Sequence, residues 1–376
     1  MVIAVNTRFL RGGAMEGYGY FIQETMQRIA AQHPEHRFHF LFDRPYENAL
    51  LFSANVTPLV VGAPARHPLL WKWWYDVKIP FVLRKLKADV FVSPDGFCSL
   101  TTRVPQCLVV HDLGFLHYAQ GYKPSHRFFY KHYTPRFLKK ANTIATVSQF
   151  SRADITATYK IPDEKIDVVY NGVRDVFRPL SFEQQTDVKA TYTEGKEYFI
   201  YVGAIHPRKN LINLLKAFSI FKKRQKTNMK LVLAGRLAWQ NNAFLKLLQS
   251  YKYRSDVLLL RYIADEKEVA RLMAAAYAMV YPSLFEGFGV PVAEAMRCGV
   301  PVLTSKDSAM QEISDGAALY FDPTNVADMA ESLMRIYKDE TARTGLIERG
   351  KTAAQKYTWQ HTADALWHCI MRAVKT

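Results

Sequence analysis

The sequence predicts an α/β protein made of two doubly wound parallel-sheet domains, and three observations carry that prediction. Short apolar runs alternate with longer segments of helical period along nearly the whole chain, the pattern of a parallel sheet with helices on both faces. The chain opens on the strand-like run Val2–Asn6, then a glycine-rich loop over 8–19, then a helix with Ile22, Met26, Ile29 and Ala30 on one face, which is the phosphate-binding start of such a domain. At Tyr198 the same order begins again: Tyr198–Val202 reads as a strand, 203–210 as a turn, and 211–223 as a helix with Leu211, Leu214, Leu215, Phe218 and Phe221 on one stripe.

The remaining elements follow in order. Apolar runs at 38–42, 88–92, 106–110 and 143–147 supply further strands of the first half; 230–235, 257–263, Ala278–Tyr281, 301–304 and Ala318–Phe321 supply those of the second. Ser148 and Ser151 stand where hydroxyl caps open a helix. After Asn171-Gly172 and Phe177-Arg178-Pro179 the chain turns polar, which sets a domain boundary at about residue 178. The domains are therefore 1–177 and 178–358, followed by a terminal helix over 359–376 with Ala363, Leu366 and Ile370 on one stripe.

A length of 376 residues exceeds one ordinary domain, and 49% hydrophobic and 13% aromatic content is enough for one or two well-filled cores, so two domains are expected. The first ten residues read as a buried strand and not as a secretory leader, and the longest uncharged stretch is broken by Asn55, Pro58 and Pro64, so a cytoplasmic protein is expected. Four isolated cysteines, Cys98, Cys107, Cys298 and Cys369, form neither a disulfide framework nor a zinc motif. The net charge of +16 admits nucleic acid, anionic membrane or a phosphorylated substrate as partner. It concentrates locally, since no acidic residue lies between Asp112 and Asp154 while Lys123, Arg127, Lys131, Arg136, Lys139, Lys140 and Arg152 do.

Two aromatic and basic stretches have a bland reading and a sharper one. Over 71–87, tryptophans beside lysines fit either an interfacial helix or a helix that buries Trp74, Val77 and Phe81 and leaves its lysines in water. The second is favoured, because Pro80 would interrupt a long membrane-lying helix. Over 122–140, Phe129, Tyr133 and Phe137 recur every fourth residue and read as core, with the basic remainder available to a membrane surface or a phosphorylated acceptor.

The stretch 281–301, Y-P-S-L-F-E-G-F-G-V-P-V-A-E-A-M-R-C-G-V-P, carries the chemistry. Gly287 and Gly289 let backbone approach a ligand, and Pro291 suits the first turn of a following helix. Glu286 falls in the loop and Glu294 near the N-terminus of that helix, so amides can take phosphate and carboxylates can take hydroxyls, as a sugar nucleotide requires. Arg208 and Lys209 stand just before a second helix, where fixed cations and the helix dipole suit a diphosphate. His111 follows the strand at 106–110, the end where open α/β sheets bind ligands; Asp112 stays open between sugar contact and loop stabiliser.

Together these strings resemble the family 4 retaining glycosyltransferases, the E-x7-E signature at Glu286 and Glu294 above all. Gly203 through Asn210 is similar to the family's G-x4-R-K-N, and Gly17-Tyr18-Gly19-Tyr20-Phe21 to its G-x-G-R-Y, with Tyr20 in place of arginine so that only the backbone role of Gly17 carries over. The resemblance covers essentially the whole chain and is weakest over 46–87. It implies the GT-B architecture, two Rossmann-like domains facing a cleft, with the terminal helix crossing back to the first. It also implies transfer of a hexosyl group with retention from a nucleoside diphosphate sugar, a GDP- or UDP-hexose, to a hydroxyl of a glycan or lipid-linked acceptor. By the same resemblance Arg208, Lys209, Glu286 and His111 serve catalysis, and Gly17, Gly203, Gly287, Phe288, Gly289, Val290 and Glu294 bind donor. The bacterial mannosyltransferase-like enzymes of surface-polysaccharide assembly are the members it leans toward. No Asp-x-Asp occurs in the chain, so neither a metal nor another cofactor is expected. An anionic membrane surface is a candidate partner and nucleic acid is not. The competing readings are a sugar-nucleotide 2-epimerase on the same architecture and a non-catalytic basic protein that binds membrane or nucleic acid.

Overall fold

A computed structural model describes residues 1–11, 15, 17–47, 50–51, 53–62, 67–238, 242–261, 263 and 265–375. Gly12, Gly13, Ala14 and Glu16 of the expected glycine loop, and Tyr262 of the expected strand at 257–263, lie outside the described residues. Two compact units result, Met1–Gly172 with Thr358–Thr376, and Val173–Tyr357.

The first unit is a parallel sheet of seven described strands: β1 (Val2–Asn6), β2 (Arg37–Phe42), β3 (Val56–Val60), β4 (Val90–Ser93), β5 (Gln106–Val109), β6 (Thr143–Thr146) and β7 (Ile166–Val168), in the order β3-β2-β1-β4-β5-β6-β7. Residues of β1, β4, β5 and β6 are buried throughout, as strands covered on both faces must be. Edge strand β3 carries Pro58, paired to Phe40 of β2; proline hides such a strand from sequence reading, and an edge tolerates its missing N–H. The second unit repeats the plan with β8 (Tyr198–Val202), β9 (Lys230–Ala234), β10 (Val257–Leu260), β11 (Ala278–Tyr281), β12 (Val302–Ser305) and β13 (Ala318–Phe321), ordered β10-β9-β8-β11-β12-β13. In both sheets the order of strands reverses beside the first one. Those switch points, β1/β4 and β8/β11, are where open α/β sheets leave a crevice beyond the carboxyl ends of the strands.

The helix Trp359–Lys375 belongs to the first unit. Ala363, Leu366, Ile370 and Ala373 are fully buried, and the helix packs against the helix Gly17–Gln32 and against β5 and β6. Thr143 Oγ1 donates to the Cys369 carbonyl at 2.9 Å. All four cysteines are buried thiols. Among the described residues no helix is long and apolar enough to cross a membrane.

One helix departs from its expected phase. The run Pro68–Trp73 passes through a π turn at Trp74–Lys78 into Ile79–Leu86, with the Ile79 N–H donating to the Trp74 carbonyl. The wider turn rotates everything after it relative to a regular helix. Trp74 is fully buried as expected, but Ile79 and Leu83 take the inward places, while Val77 is 55% and Phe81 67% exposed. Pro80 does not break the run, because it falls in the first turn after the π turn, where no N–H is needed. Over 122–140 Phe129 and Phe137 are buried in the helix Pro124–Lys140 as expected, while Tyr133, the third residue of that stripe, is only half-buried against the same core.

Candidate active site

At the switch point of the second unit, the turn after β8 and the loop after β11 meet. His206 caps the short 3₁₀ turn Pro207–Lys209 through its Nδ1, which accepts the Arg208 N–H at 3.2 Å. Lys209 Nζ then reaches across to Glu286 Oε1 at 2.5 Å and the Tyr281 hydroxyl at 2.7 Å, 77 and 72 residues away in sequence. Arg208 Nη1 donates to the Phe285 carbonyl at 2.9 Å, and its Nη2 lies 3.7 Å from Glu286 Oε2. Ser283 Oγ donates to Glu286 Oε1 at 2.5 Å. Burial opposes the charge of Glu286, but Arg208, Lys209 and the Ser283 hydroxyl outweigh it and bring the carboxyl down to about 2. The site therefore presents an ionised carboxylate gripped by two cations, each tied to backbone or hydroxyl.

Gly289 follows, the residue that opens the helix Val290–Arg297, with Pro291 in its first turn. Its φ of 92° is left-handed, and a Cβ there would stand 2.7 Å from Met310 Cγ. Gly289→Ala is therefore expected to destabilise the second unit by about 1–2 kcal/mol from backbone strain alone, seen as a lower midpoint of thermal unfolding; an unchanged midpoint would mean the turn relaxes. Gly203 has a related task at the end of β8. A Cβ on Gly235, at the end of β9, would be 1.9 Å from the Gly203 carbonyl oxygen, so the two strand ends touch backbone to backbone. Phe288 is buried against Tyr357, edge to face at 5.4 Å. Glu294 lies in the middle of its helix and not near its start. It is buried and accepts Arg174 Nη2 at 2.9 Å, and Arg174 also pairs with Glu266. Burial pushes the Glu294 carboxyl up, and Arg174 offsets part of that rise.

His111 and Gly17 belong to the first unit. His111 follows β5, its Nε2 lies 3.2 Å from the Pro94 carbonyl, and its ring meets Tyr18 and Phe21 edge-on at 4.6 and 5.0 Å. Burial lowers its pKa to about 4, so the ring is neutral at physiological pH and its Nε2 proton points at Pro94. Asp112 accepts the Gly114 N–H at 2.8 Å within its own loop and also lines the pocket described below. Gly17 is the first residue of the helix Gly17–Gln32, with open space where a Cβ would stand; at Gly19 a Cβ would lie 2.8 Å from the Phe9 carbonyl.

A pocket of about 360 Å³ opens at the β1/β4 switch point of this unit, its lining including Arg8, Arg44, Trp71, Asp95, His111 and Tyr130. Arg8 Nε meets Asp95 Oδ2 at 2.6 Å, and the Tyr75 hydroxyl donates to the same carboxylate at 2.8 Å. Arg44 is bidentate on Asp43, at 2.6 and 2.8 Å. Guanidinium–carboxylate pairs beside aromatic rings can bind hydroxyls and a ring face at once, with little net charge. Sequence reading missed these residues. The one available signal was Ser93-Pro94-Asp95-Gly96, a turn sequence just after a predicted strand.

Comparison with known proteins bears on the family and the fold. The model of the glycosyl transferases group 1 matches residues 183–353, and that of glycosyltransferase family 4 matches 16–176. The chain is 28% identical to the O-antigen chain mannosyltransferase B of Escherichia coli over 79% of this chain and 78% of that one. It is 28% identical to the serotype-specific mannosyltransferase WbdA of Escherichia coli over 68% of this chain and 32% of WbdA, so it spans about a third of that longer relative. In structure it matches sucrose-phosphate synthase from Thermosynechococcus elongatus with a TM-score of 0.78, at 18% identity and over 98% of each chain. Neither the epimerase nor the non-catalytic alternative draws support from these matches. With two Rossmann-like parallel-sheet units of the GT-B class, and with one family model on each, the chain belongs to the group 1 and family 4 glycosyltransferases.

Proposed function

We propose that the protein transfers a mannosyl group, with retention and without a metal, from a nucleoside diphosphate sugar to a hydroxyl of a glycan or lipid-linked acceptor. The observation that carries this reading is the cluster of Arg208, Lys209 and Glu286 at the β8/β11 switch point, directly before the glycine-opened helix Val290–Arg297. The hard step is departure of a nucleoside diphosphate with growing negative charge. Arg208 and Lys209 are held before the reaction, so they stabilise that charge without reorganising, and amides around Gly287 to Val290 add donors at a helix N-terminus. Glu286, ionised at any working pH, accepts hydroxyls of the donor sugar, and Glu294 takes the ribose diol. Two cations do the work that a metal would otherwise do. The pocket of the first unit, with His111 at its wall, takes the acceptor glycan. No side chain is assigned as general base; in a same-face transfer the departing phosphate oxygen accepts the acceptor proton. The mannosyl assignment is carried over from the names of the relatives.

Calorimetric titration with UDP, GDP, ADP and their hexose conjugates in EDTA tests the reading. Binding to one base is expected, lost in Lys209→Ala and weakened in Glu294→Ala, with turnover that survives chelation. Failure of all of them to bind would overturn the donor site. Loss of turnover in EDTA, restored by manganese, would overturn the metal-free mechanism, and an inverted anomeric product by NMR would overturn retention.

A further inference from the structure

The run from Pro68 to Leu86 turns a row of apolar side chains outward: Leu69 is 75% exposed, Trp73 41%, Val77 55% and Phe81 67%. The four recur every fourth residue. In an unbroken α-helix that spacing would sweep round the axis, but the π turn at Trp74–Lys78 turns it back, so the row stays on one side. Contiguous exposed apolar surface of this kind marks an interaction face.

Charge identifies what the face meets. Lys78 Nζ lies 4.7 Å from the Trp73 ring centroid, and Arg84, Lys85 and Lys87 are exposed at the end of the run. The one acidic residue between 68 and 86 is Asp76, which is turned inward: it accepts the Leu100 N–H at 2.6 Å and pairs with Lys72. The neighbouring helix Pro124–Lys140 packs on this run through Trp71 and His126, ring centroids 5.0 Å apart. It has no acidic residue and exposes Phe128 at 71% together with Lys131 and Arg136. A second copy of the chain would set these cations against themselves. A bilayer interface takes both features, apolar side chains entering the acyl boundary while lysines and arginines stay among phosphates, with tryptophan favoured at that depth.

We propose that this face docks the first unit on an anionic lipid bilayer. The inference stands apart from the glycosyl-transfer reading, because docking needs none of the donor-site residues.

Flotation of the full-length protein with vesicles of phosphatidylcholine, and of phosphatidylcholine with phosphatidylglycerol, tests it. Co-flotation with the anionic vesicles alone is expected. Trp73→Ser/Phe81→Ser and Arg84→Glu/Lys85→Glu/Lys87→Glu should each weaken it at least about tenfold, with unchanged circular dichroism because every one of these side chains is exposed. Lys252→Glu/Lys267→Glu, on exposed positions of the second unit, should leave it unchanged. No flotation with either vesicle overturns the proposal. So does a loss confined to the charge variant and matched by lost binding of an oligonucleotide or acidic polypeptide, which would point to a different anionic partner. Self-association of the vesicle-indifferent protein, abolished by the Trp73 and Phe81 changes, would assign the face to a second copy instead.

Discussion

Lys209→Ala is expected to lower kcat/KM for transfer by about two to three orders of magnitude, the usual effect of losing one preorganised donor at developing charge, while the protein stays folded. The ammonium is fixed at 2.5 Å from Glu286 and 2.7 Å from the Tyr281 hydroxyl, so its orientation is settled before substrate arrives. Removing it also leaves the buried Glu286 with fewer partners. Arg208 at 3.7 Å and Ser283 at 2.5 Å remain, which keeps the loop together but lets burial raise the carboxyl from its value of about 2. A depressed carboxyl titrates below the working range, so no acid limb from Glu286 is expected in the wild-type rate. In Lys209→Ala the carboxyl titrates at higher pH, and an acid limb should enter the kcat/KM profile. Lys209→Met should behave like alanine and Lys209→Arg should recover part of the rate. Initial rates across pH, with thermal melts as the folding control, check this; turnover within a few-fold of wild type would remove Lys209 from the site.

How much of this was legible in the sequence depends on how far apart the partners lie. Buried central strands such as Val2–Asn6 and Ala278–Tyr281 read directly, because continuous apolar runs are what a two-faced sheet demands. Glu286 read directly too, since the string around it is local. Its grip by Lys209 did not: 77 residues separate them, and the topological switch, not any spacing, brings them together. The same holds for Arg174 with Glu294, 120 residues apart, and for Arg8 with Asp95, 87 apart. The misplaced faces of Val77 and Phe81 have another cause. Helical period assumes a constant turn, and the π turn at Trp74–Lys78 breaks that assumption where the sequence shows only a proline nearby.

The Arg8–Asp95 pair carries the largest expected effect on stability. Its side chains are 4% and 0% exposed, and removing one partner of such a pair typically costs about 3–5 kcal/mol because the other charge is left buried. Burial works against the Arg8 charge, but Asp95 at 2.6 Å, with further help from Tyr75 and Asp43, holds its pKa above the usual arginine range. The guanidinium also faces the rings of Phe9, Phe97 and Tyr75 at 5.0 to 5.4 Å. Arg8→Met should therefore destabilise the first unit, and Asp95→Asn should do so less, since an amide oxygen can still accept from the Tyr75 hydroxyl and the Phe97 N–H, now 2.8 and 3.3 Å from the carboxylate. The double variant removes both charges and should be more stable than the sum of the single losses predicts. Hydrogen exchange reads this unit by unit: protection in β1 and β4 should fall, while β8 and β11, in the other unit, serve as the internal reference. Strictly additive losses would mean that the pair is not coupled. A loss of the Arg8→Met size in both units would mean that the two sheets unfold together. Because Arg8 and Asp95 also line the pocket proposed to take the acceptor, the same variants should raise the acceptor KM and leave donor affinity unchanged, which separates damage to that pocket from damage to the Lys209 site.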